Sequence, residues 1–170
     1  MDITRQILDD HDRQRRMFAT LDDVDRDDVE TLGSVWRQLA TFLEVHARAE
    51  EEIFYPELLK VGVGATDADS AEEETEDAIS DHNDIRDAIA EAARHDVGSD
   101  GWWEAVAEAR ESNSDHMGEE ERQALADFRQ HADLRLRHDL GVRFAAYETA
   151  HADGVDAEDL DPDEYIDEHR

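Results

Sequence analysis

Two stretches of this chain place a histidine four residues before a glutamate. They are His46 and Glu50 in HARAEEEIFYPEL, and His116 and Glu120 in HMGEEERQALADF. A lone histidine precedes each pair, His11 in the first half and His82 in the second. His11 and His82 are 71 residues apart, His46 and His116 are 70 apart, and so are Glu50 and Glu120. The flanks agree in part, DDHDRQR against SDHNDIR and HARAEEE against HMGEEER. Residues four apart on a helix are neighbours, so each His-x-x-x-Glu aims two donors one way. A buried carboxylate without a partner costs several kcal/mol or changes its protonation. Four imidazoles and two carboxylates at one depth satisfy one another best around cations. Neutral imidazole with carboxylate, without thiolate, suits iron, manganese or zinc. Six donors are too many for one tetrahedral zinc. They suit two metals, with each Glu able to bridge and water or a small ligand completing the coordination.

The elements that must position these groups are helical. A period near 3.6 predicts a first helix over Ile3–Leu21, with Ile3, Ile7, Phe18 and Leu21 on one stripe. The acidic DDVDRDD ends it and caps the next helix. That helix is expected over Asp28–Val61, with Leu32, Val35, Leu39, Phe42, Leu43, Ile53 and Phe54 inward. The loop VGVGATDADS follows, with Asp and Ser available for capping. A third helix is expected over Ala71–His95, with Ile79, Ile85 and Ile89 inward. A fourth is expected over Trp102–Gln130, carrying Trp103, Val106 and Phe128. A further helical piece, Asp133–His151, carries Leu136, Leu140, Phe144 and Tyr147. Four long helices with short connections predict an all-α, up-down-up-down four-helix bundle. Residues 1–151 form that bundle in this reading. Residues 152–170 form an acidic mobile tail with a short packed element at Tyr165 and Ile166.

The candidate donors interrupt the apolar stripes. His11 is four after Ile7, His46 is three after Leu43, and His82 lies three from both Ile79 and Ile85. A single histidine on such a stripe ordinarily hydrogen-bonds within the core. It is the duplicated set of six that points to metal. Glu50, Glu51 and Glu52 are consecutive, so the choice of Glu50 rests on helical phase. Asp10 and Asp81 each precede a candidate ligand; adjacent helical residues diverge, which predicts surface carboxylates. His95, His131, His138, His151 and His169 have no counterpart in the other half. His131 and His138 read as boundary residues, and Trp36, Trp102 and Trp103 as core. Tyr55 reads as core, within reach of the site.

The composition limits what else the chain could do. Of 170 residues, 48 are acidic and 17 basic, for a formal net charge of −31. Such a surface repels nucleic-acid phosphates and anionic membranes, so neither is an expected partner. Self-repulsion at low salt destabilises a compact chain this acidic. Screening shortens to about 3 Å at molar ionic strength, so a cytoplasm with molar salt is the simplest setting. There is no cysteine, hence no disulfide framework and no thiolate site. No run approaches the roughly 20 apolar residues of a membrane span. MDITRQILDDHD lacks the apolar run of a signal peptide. The expected protein is soluble and cytoplasmic.

The ordered pattern His11, His46-x-x-x-Glu50, His82, His116-x-x-x-Glu120 resembles the hemerythrin-like, HHE cation-binding family. HARAEEEIFYPEL is similar to that family's His–Glu–Glu–Pro block, and the resemblance covers about residues 3–150. It implies a four-helix bundle around a non-haem di-iron centre. It maps His11, His46, Glu50, His82, His116 and Glu120 onto the ligands, with Glu50 and Glu120 as bridges. Two iron ions are the implied cofactor, with manganese or zinc as weaker candidates. Oxygen-carrying members have a second histidine four residues after the third-helix ligand. Arg86 stands there in this chain, which implies four histidines and more even ligation of the two metals. The second half has no Tyr-Pro like Tyr55-Pro56; Gln123 and Ala124 follow its motif, and the fourth helix is expected to run on.

The leading functional expectation is a metal-binding protein that takes up O2 or another small ligand, or responds to iron or redox state. Two alternatives stand beside it. One is a di-iron enzyme acting on peroxide, ferrous iron or nitric oxide. The other is a metal-free helical interaction bundle.

Overall fold

The computed structural model describes residues 1–65 and 70–170, and the regular structure among them is entirely helical. The elements are α1 (Ile3–Asp23), α2 (Val29–Ala49), a π-helical turn (Glu50–Phe54), α3 (Tyr55–Val61), α4 (Ala71–Ala92), α5 (Asp100–Arg122), α6 (Ala124–His131), α7 (Leu134–Ala150) and α8 (Pro162–His169). The acidic sequence supplies the starts. Asp2, Asp28, Asp133 and Asp161 each accept from backbone N–H groups of the first turn they precede. Ser99 does the same for α5. Ser70 and Glu73 cap α4 reciprocally, satisfying two otherwise orphaned donors. The expected capping Asp residues of VGVGATDADS, Asp67 and Asp69, lie outside the described residues.

Two expected helices are interrupted where the paired motifs fall. The helix expected over Asp28–Val61 widens into the π turn after Ala49 and resumes as α3. Tyr55 N–H reaches back five residues to the Glu50 carbonyl. The next residue, Pro56, has no N–H to bond the Glu52 carbonyl and its ring would crowd it. A wider turn just ahead of the proline accommodates both effects. The helix expected over Trp102–Gln130 does not run on. It breaks at Gln123 (φ −111°, ψ −83°) into α5 and α6.

The helices pack with α1 against α2 and α7, and α4 along α5. Their apolar stripes form two clusters rather than one. Ile3, Ile7, Phe54, Tyr55, Leu58, Ile79, Phe128 and Phe144 belong to the first. Phe18, Leu21, Leu32, Trp36, Leu39, Leu43, Ile85, Trp102 and Val106 belong to the second. Helices α1, α2 and α4 each contribute to both clusters. Between the contributions lie their polar residues: His11 between Ile7 and Phe18, His46 and Glu50 between Leu43 and Ile53, His82 between Ile79 and Ile85. A polar layer thus crosses the interior with an apolar core on either side.

The final segment is attached to this body. Asn83 on α4 donates to the Leu160 carbonyl (2.8 Å) and accepts from Leu160 N–H (3.1 Å). The Tyr165 hydroxyl donates to the Glu51 carbonyl, and Tyr165 and Ile166 are buried against the bundle. Among the described residues, no helix is long and apolar enough to cross a membrane.

Candidate metal centre

All six candidate donors lie in the polar layer. Glu50 and His11 are fully buried, and His46, His82, His116 and Glu120 are at most 4% exposed. Glu50 is at the centre. Its Oε1 lies 2.9 Å from His46 Nε2 and 4.0 Å from His11 Nε2. Its Oε2 lies 3.3 Å from His82 Nε2 and 3.9 Å from His116 Nε2. One carboxylate therefore offers one oxygen to each of two histidine pairs. Two triads follow that could each hold a metal ion, His11–His46–Glu50 and His82–His116–Glu50. Glu120 is placed to one side. Its Oε2 is 3.2 Å from His11 Nε2, while its Oε1 accepts a hydrogen bond from the Tyr55 hydroxyl (2.9 Å).

The inner atoms face one another without making aligned hydrogen bonds. His11 Nε2, His46 Nε2, both Glu50 oxygens and Glu120 Oε2 are buried and lack a hydrogen-bond partner. His82 Nε2 and His116 Nε2 lie 3.2 Å from each other. Orphaned buried acceptors are costly. Nitrogen and oxygen donors that converge on shared points, rather than on each other, fit cations.

A second set of carboxylates surrounds the imidazoles from outside. His11 Nδ1 is 3.0 Å from Glu121 and His82 Nδ1 is 2.9 Å from Glu51. His116 Nδ1 is 3.5 Å from Asp81, and His46 Nδ1 is 3.9 Å from Asp10. With a proton held on each Nδ1, each Nε2 lone pair points inward, as metal-binding histidines require. The sequence reading of Asp10 and Asp81 as surface carboxylates is corrected here. Each does diverge from the histidine beside it, but it turns toward the histidine of the next helix. Glu51 and Glu121 were also missed. The available signal was that the repeat extends by one residue at each end: Asp before the lone His, and a second Glu after the paired one.

Burial pushes the Glu51 carboxyl up, but it is held below its usual range by His82 and, after it, by Arg86. The Arg86 guanidinium donates to Glu51 (2.8 Å) and to Glu44 (3.0 Å), and all three side chains are buried. Arg86 thus holds the carboxylate that holds His82, from the outer side. The consecutive Glu50 and Glu51 are both buried because the π turn starts there. Tyr55 belongs to both readings given from sequence: it is core, and its hydroxyl reaches Glu120. His131 bonds Asp127 within its own helix region, His138 meets the N-terminus and His95 bonds Glu91; none enters the layer.

The protonation states follow from this crowding. Burial works against a charged His46 ring, but Glu50, Asp10 and Glu148 outweigh it and raise its pKa to about 9. For His116, burial is likewise outweighed by Asp81, Glu50 and Glu120, and the pKa rises to about 10. Burial pushes the Glu50 carboxyl up, yet His46, His116 and His82 hold it well below the usual range. Burial and the Glu120 charge push the Tyr55 phenol well up, so it remains a donor. In the metal-free protein, imidazolium protons therefore supply the positive charge that Glu50 needs.

An all-helical protein with a buried His/Glu layer able to hold metal ions is the class that fold and site define. The hemerythrin HHE cation-binding domain family matches residues 2–128, and the chain belongs to that family. No curated protein and no solved structure matches the chain.

Proposed function

We propose that this chain is a hemerythrin-type protein whose layer takes up two iron ions and binds O2 or a related small ligand, or responds to iron or redox state. The observation that carries the reading is the division of Glu50: one oxygen faces His11 and His46, the other His82 and His116. Glu120 completes the six-residue set, and manganese or zinc are the weaker candidates for the metal. Iron so held would supply open coordination positions and a change of oxidation state. The chain's own part is orientation and exclusion of water. Glu51 and Glu121 accept the Nδ1 protons of His82 and His11, Asp81 faces Nδ1 of His116, and the two apolar clusters close the layer from both sides. The Tyr55 hydroxyl donates to Glu120 and keeps that carboxylate oriented.

In this reading residues 1–151 are the metal-binding bundle, with α1, α2, α4 and α5 as its up-down-up-down frame. The net charge of −31 supports a cytoplasmic protein of a cell with molar salt; melting temperature should then rise steadily with added potassium chloride. Anaerobic reconstitution with ferrous iron tests the centre itself. Two irons per chain are expected, with charge-transfer absorption appearing on exposure to air. A colourless chain that ignores ferrous iron would overturn the reading.

A further inference from the structure

Outside the central layer, a groove of about 940 Å³ opens between α1, α2 and α7, and Asp10 and Glu148 are among the residues that line it. Asp10, Glu148 and the outer face of His46 form a third cluster whose ligand atoms lie within 4.8 Å of one another. Its members come from three different helices. Asp10 Oδ2 is 3.9 Å from His46 Nδ1, and Gln6 Nε2 lies 3.4 Å from both Asp10 Oδ2 and Glu148 Oε2. Two atoms of the cluster are buried and lack a hydrogen-bond partner, His46 Nδ1 and Glu148 Oε1. His46 itself is only 3% exposed. A buried imidazole nitrogen without a partner, turned toward two carboxylates beside an open groove, becomes with them the donor set of a cation site once the ring gives up its second proton.

We propose that Asp10, Glu148 and His46 Nδ1 form an entry site, where a divalent cation leaves the groove and is held before passing inward to His46 Nε2 and Glu50. The inference rests on the two-metal reading for its destination. His46 joins the two sites because its Nε2 is 2.9 Å from Glu50 Oε1 while its Nδ1 faces the groove cluster. From the moment an ion is bound, the imidazole carries one proton. With the ion outside, the proton is on Nε2, beside Glu50. With the ion inside, the proton is on Nδ1, beside Asp10. The handover is a change of tautomer with no net proton gained or lost. The Gln6 amide can present its oxygen rather than its nitrogen to an ion held there. Arg13, which also lines the groove, has its guanidinium over the Phe42 ring at 4.2 Å.

The test is the rate of cobalt(II) uptake by the full-length, metal-free chain, followed by visible absorption, together with the number of ions finally bound. Glu148→Gln removes a carboxylate from the groove site and leaves the six inner side chains themselves in place. Asp153→Asn removes a carboxylate that lines the same groove but is not a member of the cluster, and serves as the electrostatic control. Glu148→Gln should load at least about tenfold more slowly, the scale of local electrostatic focusing, and should end at two ions per chain. Asp153→Asn should load like wild type. Equal rates in all three chains would overturn the entry site while leaving the two-metal centre standing. A Glu148→Gln chain that loads at the normal rate but ends one ion short would also overturn it. A wild type holding a single ion that Glu148→Gln loses would overturn the two-metal reading and leave the outer site. Uptake of no ion by wild type would overturn both.

Discussion

The two halves of the chain carry the same polar pattern, an Asp-His followed by His-x-x-x-Glu-Glu, yet they place it differently. In the first half Glu50 lies at the centre and faces all four imidazoles. In the second half Glu120 lies at the edge, one oxygen 3.2 Å from His11 Nε2 and the other accepting from Tyr55. The backbone differs at the same place. A π turn begins at Glu50, whereas α5 continues past Glu120 and then breaks at Gln123. The outer contacts, by contrast, keep the symmetry. Asp10 and Asp81 each face the paired histidine of their own half; Glu51 and Glu121 each face the lone histidine of the other. A duplicated sequence has given a symmetric frame around an asymmetric centre.

The sharpest challenge to that comparison is removal of each glutamate in turn. Glu50→Gln should abolish uptake of both ions, measured by elemental analysis after ferrous reconstitution. Glu120→Gln should retain at least the ion at His82 and His116. Equal losses would mean that the two glutamates are equivalent.

The outer frame can be broken at Arg86. Arg86→Met leaves Glu44 and Glu51 buried without their cation, which should cost about 3 kcal/mol of unfolding free energy in urea. An unchanged midpoint would remove Arg86 from the account. Metal itself should stabilise the chain by mass action. Ferrous iron at about 100 times its dissociation constant adds about 2.7 kcal/mol per site. For a chain of this size that is a rise of about 5–10 °C in Tm. The rise should vanish in a His46→Ala/His116→Ala double variant. A smaller effect separates the two glutamates again. Tyr55→Phe deprives Glu120 of its hydrogen bond and should cost about 1.5 kcal/mol, without lowering the number of irons held.

Acidity gives a further test with a definite sign. His46 and His116 are raised from 6.5 to about 9 and about 10 in the folded, metal-free chain. Their contribution to stability is complete below the unfolded value of 6.5 and is lost as pH climbs through 9 and 10. Metal needs the same rings neutral, so binding at pH 7 must release their protons. Metal-free protein should therefore weaken between pH 7 and 10, while the stabilisation conferred by iron grows over the same range. Parallel melting curves with and without metal would contradict the exchange of protons for metal.

The sequence reading reached the helical class, and the six residues it singled out come together in one buried layer, because both depend on periods that side-chain chemistry makes visible. Ile7, Leu43, Ile79 and Ile85 mark the faces, and the histidines interrupt them at helical spacing. The outer carboxylates escaped because the rule applied to them concerned one helix at a time. Asp10 and Asp81 point away from their neighbours and toward histidines brought in by packing, which no local period records. The break at Gln123 escaped for the opposite reason: nothing in GEEERQALADF is a strong helix breaker, and the dihedral change there is set by tertiary context. The π turn had a visible cue in Pro56, five residues after the buried pair Glu50 and Glu51. α8 had its cue in Tyr165 and Ile166, and Tyr165 is anchored to the turn that carries Glu50 and Glu51.

The most direct measurement is anomalous diffraction from a crystal of the iron-reconstituted chain. Two iron peaks should flank the Glu50 carboxylate, one beside His11 and His46 and the other beside His82 and His116. A single peak, or iron bound away from Glu50, would contradict the divided carboxylate at the heart of the centre.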